Sequence, residues 1–236
     1  MNSLYLIVNI ASFIVPFIFS FHPKLAFYKR WKFIWPSIIL SDIPFICWDV
    51  YFTRIGIWGF NPDYLSGLSI LNLPYEEVLF FICIPYACLF TYHCMGILIE
   101  KDFFSQSENW ITAVLLIILT LLAFIFSDRL YTMVTFVLLI LLLVFIKVVL
   151  KPSWLSRFYF SYLILLVPFT IVNGVLTGTA IEEAVVWYNS NEIMGIRYLT
   201  IPVEDIFYGM LLILLNVLIY ETLNRWFSKP LHGEVL

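Results

Sequence analysis

The chain has 236 residues, 62% of them hydrophobic and only 12% charged, with a net charge of −3. A soluble domain carries roughly 25% charged residues, so this composition excludes an ordinary water-soluble globule and points to an integral membrane protein. No basic domain or charged tail offers a surface for nucleic acid, and none is expected as a partner.

A helix needs about 20 mainly apolar residues to cross the hydrocarbon core of a bilayer. Seven stretches qualify, near 4–21, 33–52, 74–95, 110–127, 130–150, 158–177 and 202–224. The first, "SLYLIVNIASFIVPFIFS", lacks a basic leader and runs long for a signal-peptide core, so it reads as a retained helix. The fourth and fifth are joined by little more than "SDRL". The expectation is an all-α, seven-helix membrane bundle, with six spans if one segment lies only at the interface. Lys24, Lys29, Arg30, Lys32, Lys101, Lys147, Lys151, Arg157, Arg225 and Lys229 fall on one set of helix ends, against Arg54, Arg129 and Arg197 on the other. That bias predicts a cytoplasmic C-terminus and an N-terminus on the opposite side, in a multi-pass protein of the cell membrane.

Cys47, Cys83, Cys88 and Cys94 all lie within predicted helices, and none has metal-ligand spacing with His22, His93 or His232. They read as small packing residues, and no metal is expected.

The third and seventh predicted helices both open on acids. Set "GLSILNLPYEEVLFF" (67–81) over "GIRYLTIPVEDIFYG" (195–209): Gly67 meets Gly195, Pro74 meets Pro202, Glu76 meets Glu204 and Glu77 meets Asp205, without a gap. Upstream, "DVYFT" (49–53) resembles "NGVLT" (173–177), with Asp49 over Asn173. The pattern divides the chain into a first repeat (1–96, helices 1–3), a connector helix with its flanks (97–129) and a second repeat (130–236, helices 5–7). An odd connector makes the repeats parallel, and both acidic pairs then fall on one side of the membrane. Parallel repeats place shared sites where the halves meet.

A single Pro-x-Glu-Glu is explained by helix initiation, because proline suits the first helical position and acids favour the first turn. Duplication at identical spacing is not required for capping. Ionisable groups at membrane depth are costly and face a bundle interior or a wet cavity. Glu76 precedes Phe80 by four residues and Glu204 precedes Tyr208 by four, which sets each first acid on the face of an aromatic ring. This is a pattern for protonating something apolar.

"WDVYFTRIGIWGFNPDYLSG" followed by "LPYEEVLFF", with "IPVED" near the C-terminus, strongly resembles the membrane-bound lycopene cyclases of the two-part bacterial, archaeal and fungal type. The resemblance covers essentially the whole length and implies β-ring formation on lycopene in the bilayer, through γ-carotene to β-carotene, without electron transfer. An acid protonates a terminal double bond, the neighbouring alkene attacks the cation, and a base removes a proton. The implied site has Glu76 and Glu204 as principal acid–base residues, with Glu77 and Asp205 tuning or relaying protons. Asp49 either joins them or makes a structural hydrogen bond. Phe60, Tyr64, Phe80, Phe81, Trp187, Tyr188, Phe207 and Tyr208 are candidates for stabilising the cation. Interfacial belts account for many other aromatics. Glu182 and Glu183 read as solvated loop acids.

No Gly-x-Gly-x-x-Gly run supports a dinucleotide site, so no flavin or nicotinamide cofactor is expected. A retinal protein needs a Schiff-base lysine in its last helix, and 202–224 contains none. The serious competitor is a transporter of three helices, a connector and three more, its acids binding protons or a cationic substrate. Monomer and dimer are both compatible with the sequence, and membrane lipids are the other expected partners.

Overall fold

The computed structural model describes residues 3–99 and 101–227. Lys229 and His232 of the sequence reading lie outside the described residues. Among the described residues, seven α-helices run in chain order: α1 (Leu4–Phe19), α2 (Trp31–Arg54), α3 (Tyr75–Leu98), α4 (Glu108–Ile125), α5 (Leu130–Phe145), α6 (Leu155–Leu176) and α7 (Val203–Phe227). One π-helical turn, Ile146–Leu150, prolongs α5. Six of these segments are long and apolar enough to cross a membrane, which makes this a multi-pass membrane protein. The exception is α1. Its 16 residues extend about 24 Å at 1.5 Å per residue, short of the roughly 30 Å core, so a seventh full span does not follow from its length.

The bundle is apolar on both faces of its wall. Ile39, Leu40 and Ile43 of α2 and Ile117, Leu121 and Phe124 of α4 point outward, as lipid contact requires. The polar groups are inside: Asn9, Asp42, Asp49, Glu76, Glu204, Asp205 and Asn216 are all buried. At one end of the bundle, Arg30 donates to Asn224 (2.9 Å), while Arg157 pairs with Glu221 (3.2 Å), which also accepts from Tyr92 (2.6 Å). Lys147 pairs with Glu108 at the junction of α5 and α4. These contacts gather the ends of α2 to α7 that the sequence had assigned to one side.

The acids sit at the other end, where the structure adds elements too short to leave a pattern in the sequence. Three two-stranded antiparallel ladders form there: β1 (Trp58–Phe60) with β4 (Val186–Tyr188), β2 (Ser69–Ile70) with β3 (Leu73–Pro74), and β5 (Arg197–Tyr198) with β6 (Ile201–Pro202). Pro74 and Pro202 therefore do not occupy the first helical position. Each closes a hairpin, paired with Ser69 and Arg197 respectively, and the helix starts one residue later.

The two hairpins are copies in detail. Gly67 and Gly195 have φ of 85° and 78°, and Leu71 and Leu199 have φ of 58° and 56°. A Cβ at either glycine would meet open space, so the left-handed backbone, not crowding, is the reason for glycine there. Tyr75 N–H donates to Leu68 O (2.9 Å), and Val203 N–H donates to Ile196 O (3.1 Å).

The β1–β4 ladder joins the halves across a local two-fold. Trp58 pairs with Tyr188, Gly59 with Trp187 and Phe60 with Val186. Asn61 N–H donates to Val185 O and Asn189 N–H donates to Ile57 O, both at 2.8 Å. Such reciprocity is what an isologous contact between equivalent segments produces. Gly59 allows the close pairing, since a Cβ there would stand 2.3 Å from the Trp187 ring.

Candidate active site

A cavity of about 520 Å³ lies between α1, α3, α6 and α7, under the β1–β4 ladder. Asp49, Glu77 and Asp205 all line it, as does Asn173. Most of the remaining lining is aliphatic or aromatic.

Each acid is held by named donors. Asp49 Oδ1 accepts from the Trp58 indole N–H (2.5 Å) and from the Thr53 hydroxyl one turn on (3.2 Å). Its Oδ2 is buried and receives no protein donor. The Asp49 and Glu77 carboxyls, from α2 and α3, face the same cavity. Glu77 Oε2 accepts from the hydroxyl of Tyr5 on α1 (2.5 Å). Asp205 Oδ1 accepts from the hydroxyl of Tyr131 on α5 (2.7 Å). Its Oδ2 accepts from Tyr188 (2.8 Å) and, more distantly, from Asn173 Nδ2 (3.4 Å). Enclosure by the protein and the neighbouring Asp205 carboxylate hold the Tyr188 phenol well above its ordinary range, so it stays a donor through neutral pH.

The first acid of each pair does something else. Glu76 Oε1 accepts from the Ser66 N–H (2.6 Å), and Glu204 Oε1 accepts from the Met194 N–H (2.5 Å), each ten residues back. Thr132 adds a bond to Glu204 Oε1 (2.6 Å), and Asn9 Nδ2 donates to the Glu76 carbonyl (2.7 Å). Both carboxyls thus fasten a loop to the helix it precedes. Neither lines the cavity, which differs from the sequence expectation that Glu76 and Glu204 lead the chemistry. The reason is helical phase. Phe80 and Tyr208 do line the cavity, but the acids that share their face are three residues back, not four.

Of the aromatic candidates, Phe60, Phe80, Tyr188 and Tyr208 reach the cavity. Phe81, one residue round the helix from Phe80, packs on Phe45 instead (6.4 Å between centroids). Phe207 meets Phe136 edge-on (5.1 Å), the Tyr64 hydroxyl accepts from the Glu183 N–H (3.4 Å), and Trp187 stands outside the lining. Sequence reasoning missed Tyr5, Trp58 and Tyr131 altogether. Tyr5 and Tyr131 each follow a leucine at the start of their helix, with Asn9 and Thr135 four residues on. Extending the repeat upstream would have found them. Glu182 and Glu183 are exposed, and the four cysteines are free. Among the described residues, no group of three or more His, Cys, Asp or Glu side chains is arranged to hold a metal ion.

A buried acid cluster in a largely apolar cavity within a helical bundle defines a class: a multi-pass membrane protein with an enclosed acidic site. The lycopene cyclase family model matches residues 2–95 and again 128–223, and the chain belongs to that family. It is similar to a bifunctional lycopene cyclase/phytoene synthase of Aspergillus niger, 44% identical over 54 residues, or 23% of this chain and 9% of that protein. A protein of the same description from Aspergillus oryzae is 38% identical over 56 residues, 24% of this chain and 10% of its own. The similar segment thus spans about a tenth of these curated relatives. No solved structure matches the chain.

Proposed function

We propose that the protein closes rings on the ends of lycopene, by way of γ-carotene to β-carotene, through proton transfer alone. The observation that carries this reading is the convergence of Asp49, Glu77 and Asp205 on one cavity among aromatic rings. In this scheme Asp49 and Glu77, two buried carboxyls on the wall of one cavity, hold one proton between them. That proton goes to the terminal double bond of the polyene, leaving a tertiary cation. The neighbouring alkene attacks it, forming the ring C–C bond and leaving the positive charge on the far carbon of that alkene, two ring positions from where it began. Loss of a ring proton to a carboxylate creates the ring alkene. One proton enters, one leaves, and no electrons are gained or lost.

Asp205 is the base in this scheme, its oxygens aimed by Tyr131, Tyr188 and Asn173. Trp58, Phe80 and Tyr208 offer ring faces to the cation without a nucleophile that traps it, worth about 2 kcal/mol or more when desolvated. The ladder roof keeps water from quenching it. Glu76 and Glu204 shape the two loops. Residues 1–96 and 130–236 act as paired repeats and 97–129 as the connector, with α1 counted as a seventh span. The C-terminus is cytoplasmic by the distribution of lysine and arginine, in the cell membrane. Expression in a lycopene-accumulating host, followed by pigment chromatography, tests the reading: cyclic carotenoids are expected, and lycopene left unchanged beside abundant protein rejects it.

A further inference from the structure

The local two-fold predicts two equivalent grooves, one against α6 and one against α2, yet the cavity lies on the α6 side. α2 and α6 correspond at a spacing of 124 residues: Pro44 and Pro168, Phe45 and Phe169, Asp49 and Asn173. In that register Trp48 takes the place of Val172, which lines the open cavity. The Trp48 ring fills the α2 side, with centroids 5.1 Å from Tyr208, 5.5 Å from Phe52 and 5.8 Å from Phe45. Its indole N–H is buried without an acceptor. Bulk, not hydrogen bonding, is what this residue contributes there.

The open groove runs along α6 from Tyr162 to Thr177, about 22 Å at 1.5 Å per residue. Its acids stand at the ladder end, and Cys88 and Thr91 of α3 lie toward the other. Three lining residues are also exposed at the outer surface: Ala11 on α1, and Pro168 and Ile171 on α6. The groove therefore opens sideways between α1 and α6, at a depth where the surroundings are lipid tails.

Resting on the cyclase reading, we infer that a linear carotenoid slides in from the bilayer between α1 and α6, one end against the acids, and that Trp48 closes the duplicate groove. A single blind chamber takes one end at a time. A molecule with two reactive ends must withdraw and return reversed, so a monocyclic carotenoid passes through the membrane pool between ring closures.

Transplanting the plug tests the groove. Val172→Trp is expected to cut ring formation at least tenfold, while Val167→Trp, on the lipid-facing side of the same helix, stays within about twofold. Equal activity in both overturns the assignment. A readout independent of turnover covers the case of a misfolded variant: in wild-type protein, lycopene should slow alkylation of Cys88 by a membrane-permeant maleimide several-fold and leave Cys47, exposed on α2, unchanged. An unprotected Cys88 sinks the groove. Protection without any cyclic product would instead sink the cyclase reading and leave the groove standing. For the sequence of visits, isotopically labelled monocyclic carotenoid added during turnover should appear in bicyclic product in proportion to its share of the pool. Bicyclic product free of label contradicts withdrawal between the two closures.

Discussion

The two helix-opening acids of each half make the sharpest contrast in the molecule. They are adjacent in sequence, yet Glu76 and Glu204 serve as loop anchors while Glu77 and Asp205 line the cavity. The anchors keep the same hydrogen bond at the same ten-residue separation in both halves, whereas the cavity-lining positions have diverged to Glu and Asp. Their neighbours diverged further, with Asp49 opposite Asn173 and Trp48 opposite Val172. Duplication preserved the frame, and the differences gather at the cavity.

Substitutions can break or sharpen that contrast. The largest effect is expected at the cavity: Glu77→Gln and Asp205→Asn should each lower ring formation by about 10²–10⁴-fold, the range for losing a general acid or base, measured by pigment chromatography at matched protein levels. Asp49→Asn, which makes α2 resemble α6, keeps an acceptor for Trp58 and Thr53 but alters the proton shared with Glu77. A ten- to hundred-fold loss with an unchanged melting temperature is expected, in line with about 1.5–3 kcal/mol for a charged hydrogen bond. At the anchors, Glu76→Ala and Glu204→Ala orphan the Ser66 and Met194 N–H groups, at about 1–3 kcal/mol each, read as a lower melting temperature in detergent. Smallest of all, Glu76→Gln and Glu204→Gln retain an acceptor oxygen and should cyclise within a few-fold of wild type. Loss at these amides as deep as at Glu77→Gln would erase the distinction between anchor and cavity acid.

The helices and the duplicated acid motif were legible in the sequence because both are local. Apolar runs announce the helices, and the Pro-x-acid segment repeats without a gap. Which acid faces inward was not legible, because the i+3 and i+4 neighbours of a helical residue lie on nearly the same face. Only the hairpin ending at Pro74, which sets where α3 begins, decides between them. The ladders escaped notice since two or three residues give no alternation to detect. Tyr5 and Tyr131 reach their acids from 72 and 74 residues away, so no local pattern joins them, and only the repeat carried upstream links the two tyrosines.

The ladder between Trp58–Phe60 and Val186–Tyr188 also dictates an order of assembly. Its first strand leaves the ribosome more than a hundred residues before its mate, so the earlier half must wait in the membrane with its roof unfinished. Contacts so remote in sequence form late and slowly. The roof of the cavity is therefore completed only after the second half has been made and has paired with the first.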